Sequence, residues 1–176
     1  SGSTNLYSST FYVINSDFRV YLCLQNGSNP ETPNGRPSLD EPTFIDLEPR
    51  SAGTSGDGYI WKYLYTIKPA DIIKFDSTEF MPVPTNWETD NDVSLVRDNA
   101  VDGSIKIITV KNRGVGLGTA NVTYSNVPIE GDGSGAECSI TIDGDSRVES
   151  VAMSSQGSGY TFGTVNFSAA GIPEGT

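Results

Sequence analysis

Apolar and aromatic residues alternate with polar ones in several short stretches of the chain, and glycine, proline, serine and asparagine gather between them. Phe11-Tyr12-Val13-Ile14 and Phe18-Arg19-Val20-Tyr21-Leu22-Cys23-Leu24 are separated by Asn15-Ser16-Asp17, and this pattern predicts a β-hairpin. Alternation in the second strand puts Phe18, Val20, Leu22 and Leu24 on the expected core face and Arg19, Tyr21, Cys23 and Gln25 on the other. The strongest strand signal is Gly58-Tyr59-Ile60-Trp61-Lys62-Tyr63-Leu64-Tyr65-Thr66-Ile67, which would align Tyr59, Trp61, Tyr63, Tyr65 and Ile67 on one side. Such a row of rings reads as core plus interface, because aromatics dominate both.

Residues 26–57 are rich in Gly, Pro, Ser and Asn around one apolar island, Thr43-Phe44-Ile45-Asp46-Leu47. A loop of that length is either a mobile surface segment or a contact arm, which would order when Phe44, Ile45 and Leu47 dock on a partner. Pro69-Ala70-Asp71-Ile72-Ile73-Lys74-Phe75 predicts a short helix with proline in its first turn. A second helix is expected after Thr89 as cap, with Val93, Val96 and Ala100 as its apolar stripe and Gly103 at its end.

The second half of the chain repeats itself with an offset of 43 residues, as from Ile105 to Val148. At that offset Ile108 matches Val151, Val110 matches Met153, Gly114 and Gly116 match Gly157 and Gly159, Leu117 matches Tyr160, Val122 matches Val165, and Tyr124 matches Phe167. Each copy reads as a strand, a Gly-x-Gly turn and a second strand, with Cys138, Ile140 and Ile142 on one face of a strand between the copies. The expected fold is mainly β. A β-sandwich-like N-terminal part with short helices spans residues 1–88, a helical connector spans 89–103, and a Gly-rich repeated β-hairpin part spans 104–176. The start Ser1-Gly2-Ser3-Thr4 and the break within the second copy read as the ends of a fragment.

Composition narrows the function. With 22 acidic against 11 basic residues and a net charge of −11, the surface repels nucleic-acid backbones and anionic membranes. The sequence has no apolar run long enough for a transmembrane helix. Cys23 and Cys138 each lie in an apolar run and read as buried free thiols, in keeping with cytosolic assembly. The absence of histidine removes the commonest general base and the usual zinc ligand. Glu137, Asp143 and Asp145 could still supply a carboxylate pair, and Asp132, Asp143 and Asp145 a calcium site, but acidic residues in Gly-rich turns are expected to cap those turns. Gly114-Val115-Gly116-Leu117-Gly118 leads into strand-like residues, so it does not read as a nucleotide fingerprint. No catalytic, cofactor or metal residue is therefore expected.

Phe11-Tyr12-Val13-Ile14-Asn15, then Phe18, Val20-Tyr21 and Cys23-Leu24, then Gly56-Asp57-Gly58-Tyr59-Ile60-Trp61-Lys62-Tyr63-Leu64-Tyr65 with Ile67 follow the strand-and-loop order of a known family. Over about residues 10–84 the chain resembles the baseplate wedge proteins of contractile-tailed phages, and its second half is similar to the Gly-rich repeat of wedge homologues from marine cyanobacterial phages. The resemblance implies a β-rich virion component without enzymatic activity, assembled in the host cytoplasm into the tail baseplate. Its implied partners are other wedge subunits, with a homodimer possible. Phe44, Ile45, Leu47, Tyr59, Trp61 and Tyr63 are the candidate contacts. The alternative function is a glycan-binding adhesion module of a virion or cell surface, for which the Tyr59, Trp61, Tyr63 and Tyr65 ladder would have to expose its rings.

Overall fold

A computed structural model of the chain describes residues 11–77 and 80–173, with only the backbone described at Phe75. Among these residues 32% are in strands and 9% in helices, so the fold is mainly β. The chain divides into two compact units, one comprising Ser1–Gly27 and Gly35–Ala100, the other Ser28–Asn34 and Val101–Thr176.

The first unit is built on a three-stranded antiparallel sheet, β1 (Tyr12–Ile14), β2 (Arg19–Asn26) and β3 (Tyr59–Thr66), in that order. It is a single sheet among the described residues, where a sandwich was expected. The predicted hairpin forms between β1 and β2. Asn15 closes it by accepting from the Asp17 and Arg19 N–H groups at 3.0 and 2.8 Å. Phe18, expected in the strand, belongs to this turn, with a φ of 58°.

The expected single core face does not hold, and a register shift explains why. Val20 opposes Tyr65, whereas its neighbour Tyr21 opposes Tyr63, so β3 carries one extra residue at that point. Opposed residues point the same way and consecutive ones do not, so Tyr65 and Tyr63 lie on opposite faces of the sheet. Val20, Tyr65 and Ile67 pack with Val93 on one face, while Tyr21, Trp61 and Tyr63 pack with Ala52 on the other. Leu22 and Leu24 are only half-buried.

Helix α1 (Pro69–Phe75) forms where predicted. The second helical stretch is a single 3-10 turn, Asn91–Val93, followed by α2 (Ser94–Asp98). Its cap is Asp90 in place of Thr89, because the Asp90 carboxylate accepts from the Asp92 N–H at 3.0 Å. Val93 is fully buried in the first unit's core, so this stretch is part of that unit and not a free connector.

The second unit contains a four-stranded antiparallel sheet ordered β6 (Val148–Ser158), β5 (Ser134–Ile142), β4 (Thr123–Gly131), β7 (Gly163–Val165). Ala136, Cys138, Ile140 and Ile142 of β5 are buried, as the alternation predicted for the last three. The pairing differs from the expected hairpins. The two halves of a repeat copy do not pair with each other: β4 pairs with β7, and residues 104–113, which form no strand, run beside β6. That stretch is joined to β6 by Ile105 N–H to the Gln156 carbonyl and by Val148 N–H to the Arg113 carbonyl, at 2.9 and 2.8 Å. Gly114 and Gly157, and likewise Gly116 and Gly159, all have φ between 60° and 75°, so the matched turns share their left-handed positions. Ile105, Ile108 and Val110 pack on the same core as Val148, Val151 and Met153.

Candidate interaction surface

Residues 35–57 are held against the first sheet by Asn15 of the hairpin turn and by Arg19 and Tyr21 of β2. Asn15 donates through Nδ2 to the Pro42 carbonyl at 2.9 Å, the Tyr21 hydroxyl donates to the Phe44 carbonyl at 2.7 Å, and the Arg19 guanidinium reaches the Thr43 carbonyl. Asp57 is the second anchor. It is buried, and it accepts from the Leu39 N–H at 2.8 Å and the Tyr59 N–H at 2.9 Å. The Leu39 contact leads in holding the Asp57 carboxyl below the usual carboxylate range. Its flanking Gly58 packs backbone to backbone against Gly27: a Cβ on Gly58 would lie 2.8 Å from the Gly27 Cα. The Gly-Asp-Gly sequence is thus a clasp that fastens the loop to the end of the β2–β3 ladder.

The six expected contact residues have different fates. Trp61 and Tyr63, 3% and 7% exposed, are core residues of this chain and offer no ring face to a partner. Trp61 stacks on half-buried Tyr59, with centroids 5.2 Å apart. Phe44 packs edge-on against Tyr21 at 5.5 Å and lies under the Arg50 guanidinium, 5.2 Å from the ring centroid. Leu47 is half-buried, and only Ile45, 54% exposed, is open in the way a contact arm requires. The loop is therefore laid on its own sheet, with the apolar island partly consumed by the core. Tyr65 is buried as well, so the aromatic row is not a platform for sugar rings.

On the other face of the sheet the same unit has a cavity of about 850 Å³. Its floor is Tyr65, Ile67, Met81 and Val93, and exposed Phe80 and Val83 also line it. The Tyr65 hydroxyl, pushed up to about 12 by burial, donates to the Pro82 carbonyl at 2.9 Å and so holds one wall in place. Lys68 bridges Asp90 and Asp92 at 3.1 and 2.9 Å, and the Asp92 and Asp90 carboxylates raise its ammonium above the usual lysine range. Asp71 and Asp76 also line the space with Lys74. The Asp76 Oδ1 atom is buried and has no hydrogen-bond partner among the described residues. Sequence reading missed this site because its wall comes from proline-rich residues that form no regular element.

In the second unit Asp132 and Asp143 serve their own turns. Asp132 accepts from Thr161 Oγ1 at 2.5 Å and from the Thr161 N–H at 2.9 Å, contacts that hold its carboxyl at about 2. Asp143 accepts from the Arg147 and Asp145 N–H groups at 2.9 Å each, and its carboxyl is likewise lowered. Arg113 joins Asp143 to Glu31 with 2.9 Å contacts to both. Glu137 sits on β5 between core residues Ala136 and Cys138 and is half-buried. Among the described residues no three His, Cys, Asp or Glu side chains form a group able to hold a metal ion. The glycine run from Gly114 to Gly118 leads through a turn into β4, not into a helix.

No family model, no curated protein and no solved structure matches this chain.

Proposed function

We propose that this chain is a structural subunit of the tail baseplate of a contractile-tailed phage, a wedge component that acts through protein–protein contacts and catalyses nothing. The observation that carries the reading is the Gly56-Asp57-Gly58-Tyr59-Ile60-Trp61 element. The residues that give the chain its resemblance to wedge proteins are those that fasten the long loop to the sheet, Asp57 through its hydrogen bonds and Gly58 through its close approach to Gly27. A motif used this way defines a scaffold, and scaffolds function by the surfaces they hold in place.

Other features support the same reading. Two of the acidic residues of the second unit that could serve chemistry, Asp132 and Asp143, are occupied in turns or ion pairs. Apolar side chains stand exposed on both units, Ile45, Ile73 and Val83 on the first and Val115 and Phe162 on the second. Among the described residues, short outer strands β1 and β7 leave sheet edges for neighbours to cover. The partners are other wedge subunits or a second copy, and the location is the virion tail, after assembly in the host cytoplasm.

Sedimentation velocity of the intact protein, alone and mixed with the tail proteins encoded beside it, tests the proposal. A discrete complex of fixed stoichiometry is expected. A chain that stays monomeric and ignores every one of those proteins contradicts it.

A further inference from the structure

We propose that the cavity beside β3 receives a cationic side chain, arginine or lysine, presented by an apolar segment of a partner polypeptide. The inference rests on the structural-subunit reading and names the chemistry of one contact. Three observations carry it.

The first is size and lining. A space of about 850 Å³ falls within the range of built ligand sites and well above a packing defect. Its floor of Tyr65, Ile67, Met81 and Val93 suits an aliphatic stem or an apolar neighbour. The second is Asp76. An acceptor atom withdrawn from water without a donor is costly, and native proteins leave few such atoms unless something else supplies the donor. The third is charge. Lys68 is committed to Asp90 and Asp92, which leaves Asp71 and Asp76 against Lys74 and a lining that is acidic overall. A guanidinium or ammonium head answers both the field and the missing donor, and the exposed Phe80 and Val83 receive the residues beside it.

The test uses the intact protein and short capped peptides in which one arginine or lysine is flanked by leucine and valine, with matched peptides carrying citrulline or glutamine at that position. Binding is followed by calorimetry at low and high salt. It is also followed by the fluorescence of Trp87, which meets Tyr65 edge-on at 5.9 Å. The cationic peptides should bind at least about tenfold more tightly than the neutral ones, and the advantage should shrink with salt. Asp76→Asn should remove most of that advantage. Val83→Lys, at an exposed position of the lining, should weaken binding of the cationic peptides, whereas Leu39→Lys, the same charge change outside the cavity, should not. Equal affinity for neutral and cationic peptides, equally tight binding of free arginine, or indifference to both Asp76→Asn and Val83→Lys would overturn the assignment. A chain that binds these peptides but is absent from virions keeps the site and loses the baseplate reading; a virion protein that ignores them does the reverse.

Discussion

Asp57 and Asn15 are short polar side chains that cost free energy to bury, and they are buried because their oxygens meet backbone N–H groups that would otherwise lack partners. Replacing Asp57 with alanine should destabilise the first unit by about 1–3 kcal/mol in denaturant titration, since the Leu39 and Tyr59 N–H groups lose their acceptor. Asp132 gives a pH signature in the second unit. Its carboxyl is held at about 2 against 3.8 for a free aspartate, so the stabilisation is complete above the unfolded value and is lost as pH falls from there toward the folded value. Asp132→Asn should therefore lower the melting temperature at neutral pH, and the gap from the parent should close as the scan approaches pH 2. Such roles were partly legible. Aspartate and asparagine beside glycine announce turns, but which distant amide each one serves depends on the tertiary path.

At the scale of elements, the pattern of side chains located β3, β5 and α1 and the core face of β5, but mistook the faces of β2 and β3. A bulge shifts every later side chain to the opposite face, and nothing in Tyr63-Leu64-Tyr65 advertises one. The same device operates in β4, where Tyr124 opposes Ile140 and Val127 opposes Cys138, with Asn126 between them at a φ of 57°. Tyr124 faces the core before the bulge, and Val127 and Ile129 face it after the bulge. The repeat was legible as spacing, three residues and then two in both Ile105-Ile108-Val110 and Val148-Val151-Met153, which is the spacing a bulged strand needs to keep one face apolar. Its pairing was not legible, because a turn with two left-handed glycines can separate its arms as well as join them. Gly103 tests how tightly these turns are packed. A Cβ there would lie 2.3 Å from the Tyr160 nitrogen, so Gly103→Ala should cost at least about 2 kcal/mol from overpacking and backbone strain together. Gly56 has a similar φ but open space around it, and Gly56→Ala should cost only the backbone term of about 1–2 kcal/mol. Paired melts of the two variants separate the contributions.

For the whole molecule, mainly-β character followed from composition and alternation, whereas the division into units did not, because Ser28–Asn34 belongs to the second unit, where Glu31 pairs with Arg113. Neither ion pairing nor a wall of prolines has a periodicity to read. The two cysteines are free, Cys138 buried in the second unit and Cys23 half-buried in the first, and burial raises both thiols above the usual cysteine range. A thiol reagent should therefore label Cys23 slowly and leave Cys138 untouched until denaturant is added; rapid labelling of Cys138 in the native protein would contradict the packing of β5. Under the proposed function, these sheets are scaffolds contacted by other tail proteins. Cryo-electron microscopy of purified contractile-tailed particles from the source of this sequence tests this central claim most directly. Density at the baseplate that accommodates the three-stranded unit with its clasped loop, and the four-stranded unit, is the expected result. Particles whose baseplate is fully accounted for by other chains would contradict it.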